Sequence, residues 1–285
     1  MADEPLLRPN PRRFVIFPLA NEEVWRQYKI IEGAFCTDEV AEIADTNQPF
    51  LERLLVLSAL LGEDGFMLKA LSTEVQLPEA RCAFGIIEAQ TDINRETFGR
   101  LLEPFKTSDD VIESISGYTT EKIDWVRDAF KHAPFATRLV LLGIHCSIFS
   151  AGVTAMLARG SPPGAMTMNT RAAVFRKRVL KFIGVLFRFV KIKLEILGLV
   201  QKAVQLELGF MANINTSANS EEYTRFVRWT ADDLLGSLNQ DPVYRETNPF
   251  SELYETEELV TPERFQKLAH TLSSTDRSLS FDESF

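Results

Sequence analysis

The chain has 285 residues, 45% of them hydrophobic, and a formal net charge of −9. That is enough to bury one large core without a second domain, and the negative balance argues against a generic nucleic-acid surface, which carries net positive charge. The three cysteines, Cys36, Cys82 and Cys146, are widely spaced and outside any CxxC pair. Neither a disulfide framework nor a structural zinc site is signalled, and a reducing compartment is favoured.

Apolar residues recur at helical spacing over long stretches while strand-like alternation is nearly absent, so the expected class is all-α. Residues 1–20 read as an extended arm, 21–247 as one helical bundle and 248–285 as a flexible tail rich in Ser, Thr and Glu. The spacing predicts helices over Glu22–Phe35, Phe50–Leu71, Pro78–Phe105, Thr120–His132, Pro134–Ala158, Arg171–Leu208 and Ser220–Leu238. Pro78 suits a first helical turn, and the run Gly160-Ser-Pro-Pro-Gly164 reads as a loop. The first ten residues lack the basic start and apolar core of a signal peptide. The most apolar stretch, Val179 to Val200, is interrupted by Lys181, Arg188, Lys191, Lys193 and Glu195. A cytoplasmic protein with no membrane span is expected.

Between Arg171 and Lys202 nine basic residues face a single acid, Glu195. At 100° per residue Lys177, Lys181, Arg188, Lys191, Glu195 and Lys202 fall on one stripe, which is read as facing water. A solvated helix face is the commoner meaning of such a stripe, and a local interaction face is the alternative. Val179, Ile183, Leu186 and Val190 cluster opposite. Arg176 lies toward that apolar side, so it is expected to point inward.

The run Asn10-Pro-Arg-Arg-Phe-Val-Ile-Phe-Pro18, with Trp25, Tyr28, Lys29, Glu32, Ala34, Phe35 and Thr37 after it, is similar to the opening of eukaryotic class I ribonucleotide reductase small subunits. Glu74-Val-Gln-Leu-Pro-Glu-Ala-Arg-Cys82 resembles the family's approach to its first long ligand-bearing helix. Ala231-Asp232, Leu234-Leu235, Tyr244 and Asn248-Pro-Phe250 resemble its last core helix and exit, and the ending Leu279-Ser-Phe-Asp-Glu-Ser-Phe285 resembles its tail. The resemblance implies a ferritin-like helical bundle, usually dimeric, in which four carboxylates and two histidines hold two irons that generate a tyrosyl radical. Two hard dications need such anionic oxygens and imidazoles projecting inward from facing helices.

Matched onto this sequence, that inventory is depleted. Asp64 stands at the first aspartate, but the remaining ligand positions carry Thr91, Asn94, Cys146, Arg176 and Val179. The position of the radical tyrosine carries Phe98, which has no hydroxyl to oxidise. The family's relay tryptophan corresponds to Cys36, the aspartate beside its last ligands to Phe175, and its tail tyrosine to a position near Leu272. No metal, no cofactor and no catalytic residue are therefore expected.

Asp64 reads either as a vestigial ligand or as the ionic partner of Arg176, with Glu63 as a rival partner; a buried carboxylate without metals calls for a compensating cation. Cys146 beside His145 suggests a thiolate and imidazole pair, but adjacent helical residues diverge by 100°, and a buried structural cysteine is the simpler reading. His132 and His270 are isolated. No nucleophile motif and no Gly-rich phosphate loop accompany them. Leu279, Phe281, Asp282 and Phe285 form an acidic, aromatic ending suited to docking in a partner's groove, which in the family is the large subunit. The expected function is that of a non-catalytic small-subunit homologue. It would pair with a metal-bearing small subunit as a heterodimer and contact the large subunit through its tail, with no nucleic acid and no membrane as partner. A bundle recruited as scaffold for an unrelated assembly is the alternative, and an enzyme with unfamiliar chemistry ranks last.

Overall fold

The computed structural model describes residues 5–10, 16–37, 43, 45–62, 65–191, 195–214 and 220–254. Among them every regular element is helical. Ten α-helices follow in order: α1 (Glu22–Glu32), α2 (Pro49–Leu61), α3 (Gly65–Glu74), α4 (Pro78–Leu102), α5 (Asp109–Ser116), α6 (Thr120–His132), α7 (Phe135–Leu157), α8 (Pro163–Phe187), α9 (Ile196–Ile214) and α10 (Ser220–Ser237).

The helices start where short-range chemistry permits. The Asn21 side chain accepts the Val24 N–H at 3.1 Å to cap α1, and Ser108 accepts from Val111 at the head of α5. Prolines open α2, α4 and α8, where a missing N–H costs nothing because first-turn amides have no helical partner. Pro163 thus begins α8 inside the stretch read as loop. The arm is tied down as well: Leu6 is buried and its carbonyl accepts the Gln76 N–H, while the buried Glu79 carboxylate accepts the amides of Ala20 and Asn21.

Two long predicted helices are each divided. Phe50–Leu71 ends as α2 at Gly62, whose N–H turns back to Ala59 and Leu60, and resumes at Gly65. Arg171–Leu208 ends as α8 at Phe187 and resumes at Ile196. Between them Val190-Lys-Ile-Lys-Leu-Glu195 alternates apolar and charged residues with a period of two, which no helical face can satisfy. Helix α5, short and acidic, escaped the periodic reading. Phe250 and Leu253 are buried in the core, so the packed unit runs past Thr247 to a 3-10 turn ending at Tyr254.

Helix α7 is the axis of the bundle, packed against α2, α3, α6, α8, α9 and α10. It is apolar all round and almost wholly buried, as a central helix must be. By length and composition it passes the test for a membrane span, but its apolar surface is already covered inside the fold. The most apolar helix is therefore α7 and not the stretch from Val179. The tightest crossings depend on missing side chains: a Cβ on Gly184 would lie 2.5 Å from the Ser237 carbonyl of α10, and one on Gly152 would meet Met211 and Glu207 of α9.

Candidate functional site

Three helices supply the residues that the family resemblance singled out, and helical periodicity explains why they meet. Thr91, Asn94 and Phe98 lie at i, i+3 and i+7 on α4; Phe175, Arg176 and Val179 occupy one face of α8; Cys146 and Ser150 are a turn apart on α7. Thr91, Asn94, Phe98, Cys146, Arg176 and Val179 all line one cavity of about 40 Å3, to whose wall Leu61 and Gly62 at the end of α2 also contribute. That volume holds a water or two, not a substrate. Asp64 and Glu63 lie outside the described residues, as do Leu272, His270 and the ending Leu279, Phe281, Asp282 and Phe285.

Arg176 does point inward. Its Nη2 donates to Thr154 Oγ1 of α7 at 2.8 Å, and it borders both this cavity and a smaller neighbour beside Trp229 and Asp233. Lys177, by contrast, leaves the solvated stripe: it pairs with Asp233 and sits over the Trp229 ring, whereas Lys181, Arg188, Lys191, Glu195 and Lys202 are exposed. Those exposed residues are shared between two helices and the link joining them, not carried on one helix.

His145 and Cys146 both border the cavity although they are neighbours on α7, because the cavity wraps part of the helix circumference. The divergence expected of adjacent residues does not separate them here. Cys146 is buried. The His145 Nε2 lies 2.9 Å from the Leu61 carbonyl, which makes Nε2 the protonated nitrogen, and its buried Nδ1 has no hydrogen-bond partner among the described residues. Burial holds its pKa down to about 4; the Leu61 bond opposes this, and the positive charges of Lys122 and Arg176 reinforce it.

No carboxylate or imidazole stands at the five described positions that the resemblance reads as ligand sites, and among the described residues no cluster of three His, Cys, Asp or Glu could hold a metal ion. These residues do not fit a di-metal centre. Asn94 Oδ1 instead accepts a hydrogen bond from Gln90, whose amide also clamps both the N–H and the carbonyl of Cys36. Cys36 and Phe175, which the resemblance reads at relay positions, border a separate open pocket between α4 and α8.

Sequence reasoning missed one polar element of the interior. Lys122 of α6 and Glu207 of α9 form a fully buried ion pair at 2.7 Å. The signal was present: Lys122 shares a stripe with Thr119, Val126 and Phe130, and Glu207 one with Val200, Ala203, Val204 and Phe210, all otherwise buried.

Long helices that turn side chains from α4, α7 and α8 toward one cavity, in a fold whose regular elements are all helical among the described residues, define a ferritin-like bundle. Residues 13–249 match the family model for the ribonucleotide reductase small chain, and the chain belongs to that family. It is 29% identical to the ribonucleoside-diphosphate reductase small chain of Neurospora crassa, over 87% of this chain and 68% of that one, and 28% identical to the Schizosaccharomyces pombe small chain, over 87% and 72%. In three dimensions it resembles the ribonucleotide reductase Rnr4 homodimer from Saccharomyces cerevisiae, with a TM-score of 0.77, 21% identity and 92% of each chain covered. A dimanganese NrdF from Streptococcus sanguinis follows at 0.68 and 12% identity, over 80% of this chain and 92% of that one.

Proposed function

We propose that this chain is a non-catalytic small-subunit homologue of ribonucleoside-diphosphate reductase. It supports deoxyribonucleotide synthesis by pairing with a metal-bearing small subunit and by contacting the large subunit through its C-terminal tail. The observation that supports the reading is the composition of one cavity: Thr91, Asn94, Cys146, Arg176 and Val179, the residues that the resemblance reads at five ligand positions, all line it. Phe98, at the radical position, lines the same cavity. Radical generation then falls to the partner subunit, and this chain contributes its fold and its tail.

The same reading assigns Arg176 to Asp64 as an ion pair in place of the metals. In support, Arg176 borders the cavity to which Gly62 contributes, two residues before Asp64. Asp64→Asn and Arg176→Gln should each destabilise the chain, and the double variant should cost less than the sum; additive losses would refute the pair.

The test of function is co-purification of the tagged protein from its native cells, intact and without residues 279–285, with metal content measured on the product. Recovery of both reductase subunits, loss of the large subunit on truncation and no stoichiometric metal in this chain are the expected results. Recovery of neither subunit, or one transition metal per chain, overturns the proposal.

A further inference from the structure

A second opening in the fold has no part in the reading above. Between the end of α1, α4 and the first half of α8 lies an open pocket of about 500 Å3, within the range of small-molecule sites. Two guanidiniums border it, from Arg171 and the buried Arg178, together with the hydroxyls of Thr167 and Thr170. Thr167, Thr170, Arg171, Val174 and Arg178 lie along one stripe of α8, the two arginines two turns or roughly 10 Å apart. No carboxylate is among the described lining residues.

Three features set what such a pocket takes. The arginines have other contacts within the fold, but a guanidinium carries five donors in a planar fork, so an arginine already held can still present N–H groups to an oxyanion. The α8 wall begins at Met166, the last residue of the first turn of a 25-residue helix, where the macrodipole is already fading, so the positive charge of the pocket is that of the two arginines. The remaining wall is mixed: Ala34, Met166, Met168, Val174 and Phe175 are apolar, while Gln90, Asn94 and Thr97 on the α4 side are polar and uncharged. The rim is held in place by Gln90, which bonds both backbone groups of Cys36, at 2.8 Å and 3.1 Å.

We propose that this pocket binds a small organic phosphate, its dianionic head held by Arg171, Arg178 and the threonine hydroxyls and its apolar body lying on Val174 and Phe175. Phosphate is favoured over carboxylate because three terminal oxygens use two forks and two hydroxyls, where a carboxylate has only two oxygens to offer. The assignment stands apart from the metal question, since the pocket is open whether or not the inner cavity holds a metal.

Cys36 on the rim provides a local readout and Cys82, also partly exposed, an internal control. Alkylation rates of both thiols, measured by peptide mass spectrometry on the full chain, should respond differently to phenyl phosphate. Cys36 should slow at least threefold, Cys82 should not change, and neutral benzyl alcohol should do nothing. Benzoate should protect Cys36 only at higher concentration. In Arg171→Gln, a half-buried site whose folding is checked by circular dichroism, the phenyl phosphate concentration needed should rise at least tenfold. Absence of protection at Cys36, equal slowing of Cys82, protection unchanged in Arg171→Gln, or benzoate binding the tighter would each overturn the proposal.

Discussion

Replacing Glu207 by leucine is the sharpest perturbation the bundle offers. Lys122 Nζ donates to Glu207 Oε2 at 2.7 Å and to the Phe149 carbonyl at 2.8 Å, and it sits 3.4 Å over the centre of the Phe210 ring. Glu207 Oε1 accepts the Gly152 N–H at 2.9 Å. Burial pushes the Lys122 pKa down and the Glu207 pKa up, and each charge opposes that shift on its partner. Glu207→Leu strands an ammonium in the core and leaves the Gly152 amide without this acceptor, so the loss should be about 4 kcal/mol. That is a large part of the ~5–15 kcal/mol that holds an ordinary domain together. Lys122→Met leaves Glu207 its Gly152 bond and should cost somewhat less, about 3 kcal/mol. The double variant replaces both charges with apolar groups and should return to within about 2 kcal/mol of the parent, the remainder being the Gly152 amide. Urea unfolding followed by circular dichroism measures all four proteins. A Glu207→Leu loss below about 1 kcal/mol, or additive single losses, would refute the account.

Other consequences follow from the same geometry. His145 is neutral in the fold down to about pH 4 and titrates near 6.5 when unfolded. Its folded pKa is depressed, so stability is full above pH 6.5 and declines as pH falls toward 4, by up to about 3 kcal/mol; His145→Gln should flatten that part of the pH–stability curve. Gly184→Ala places a Cβ 2.5 Å from the Ser237 carbonyl, which should force α8 from α10 and cost about 2 kcal/mol in chemical denaturation. Asp232 accepts the amides of Val243, Tyr244 and Arg245. Asp232→Ala should speed hydrogen exchange at those three amides and cost about 1–2 kcal/mol, because water can reach the partly exposed loop.

How much of this was legible beforehand depended on which interactions are local. Thr120–His132 was read to the residue and Pro78 was placed at the head of its helix, because proline chemistry and 3.6-residue periodicity act within a turn or two. The breaks at Gly62 and Phe187 were not read, although Gly62-Glu-Asp-Gly65 and the two-residue alternation from Val190 to Glu195 carried a local signal for each, because the apolar period resumes beyond them. Arg176 could be aimed inward from its angle on α8. Its partner Thr154 belongs to another helix, and that pairing is not encoded in the spacing of either.

By itself the sequence determined that the chain is all-α and, through its family motifs, which family it resembles; the residues read at the ligand, radical and relay positions are what that resemblance implies. Composition, helical period and aligned motifs carry that information along one dimension. Only the tertiary structure decided that Thr91, Asn94, Cys146, Arg176 and Val179 share a single small cavity, that His145 joins them, and that Lys122 meets Glu207. Those pairings depend on how helices distant in sequence cross, at contacts such as Gly152 and Gly184 where a single methyl group would change the approach.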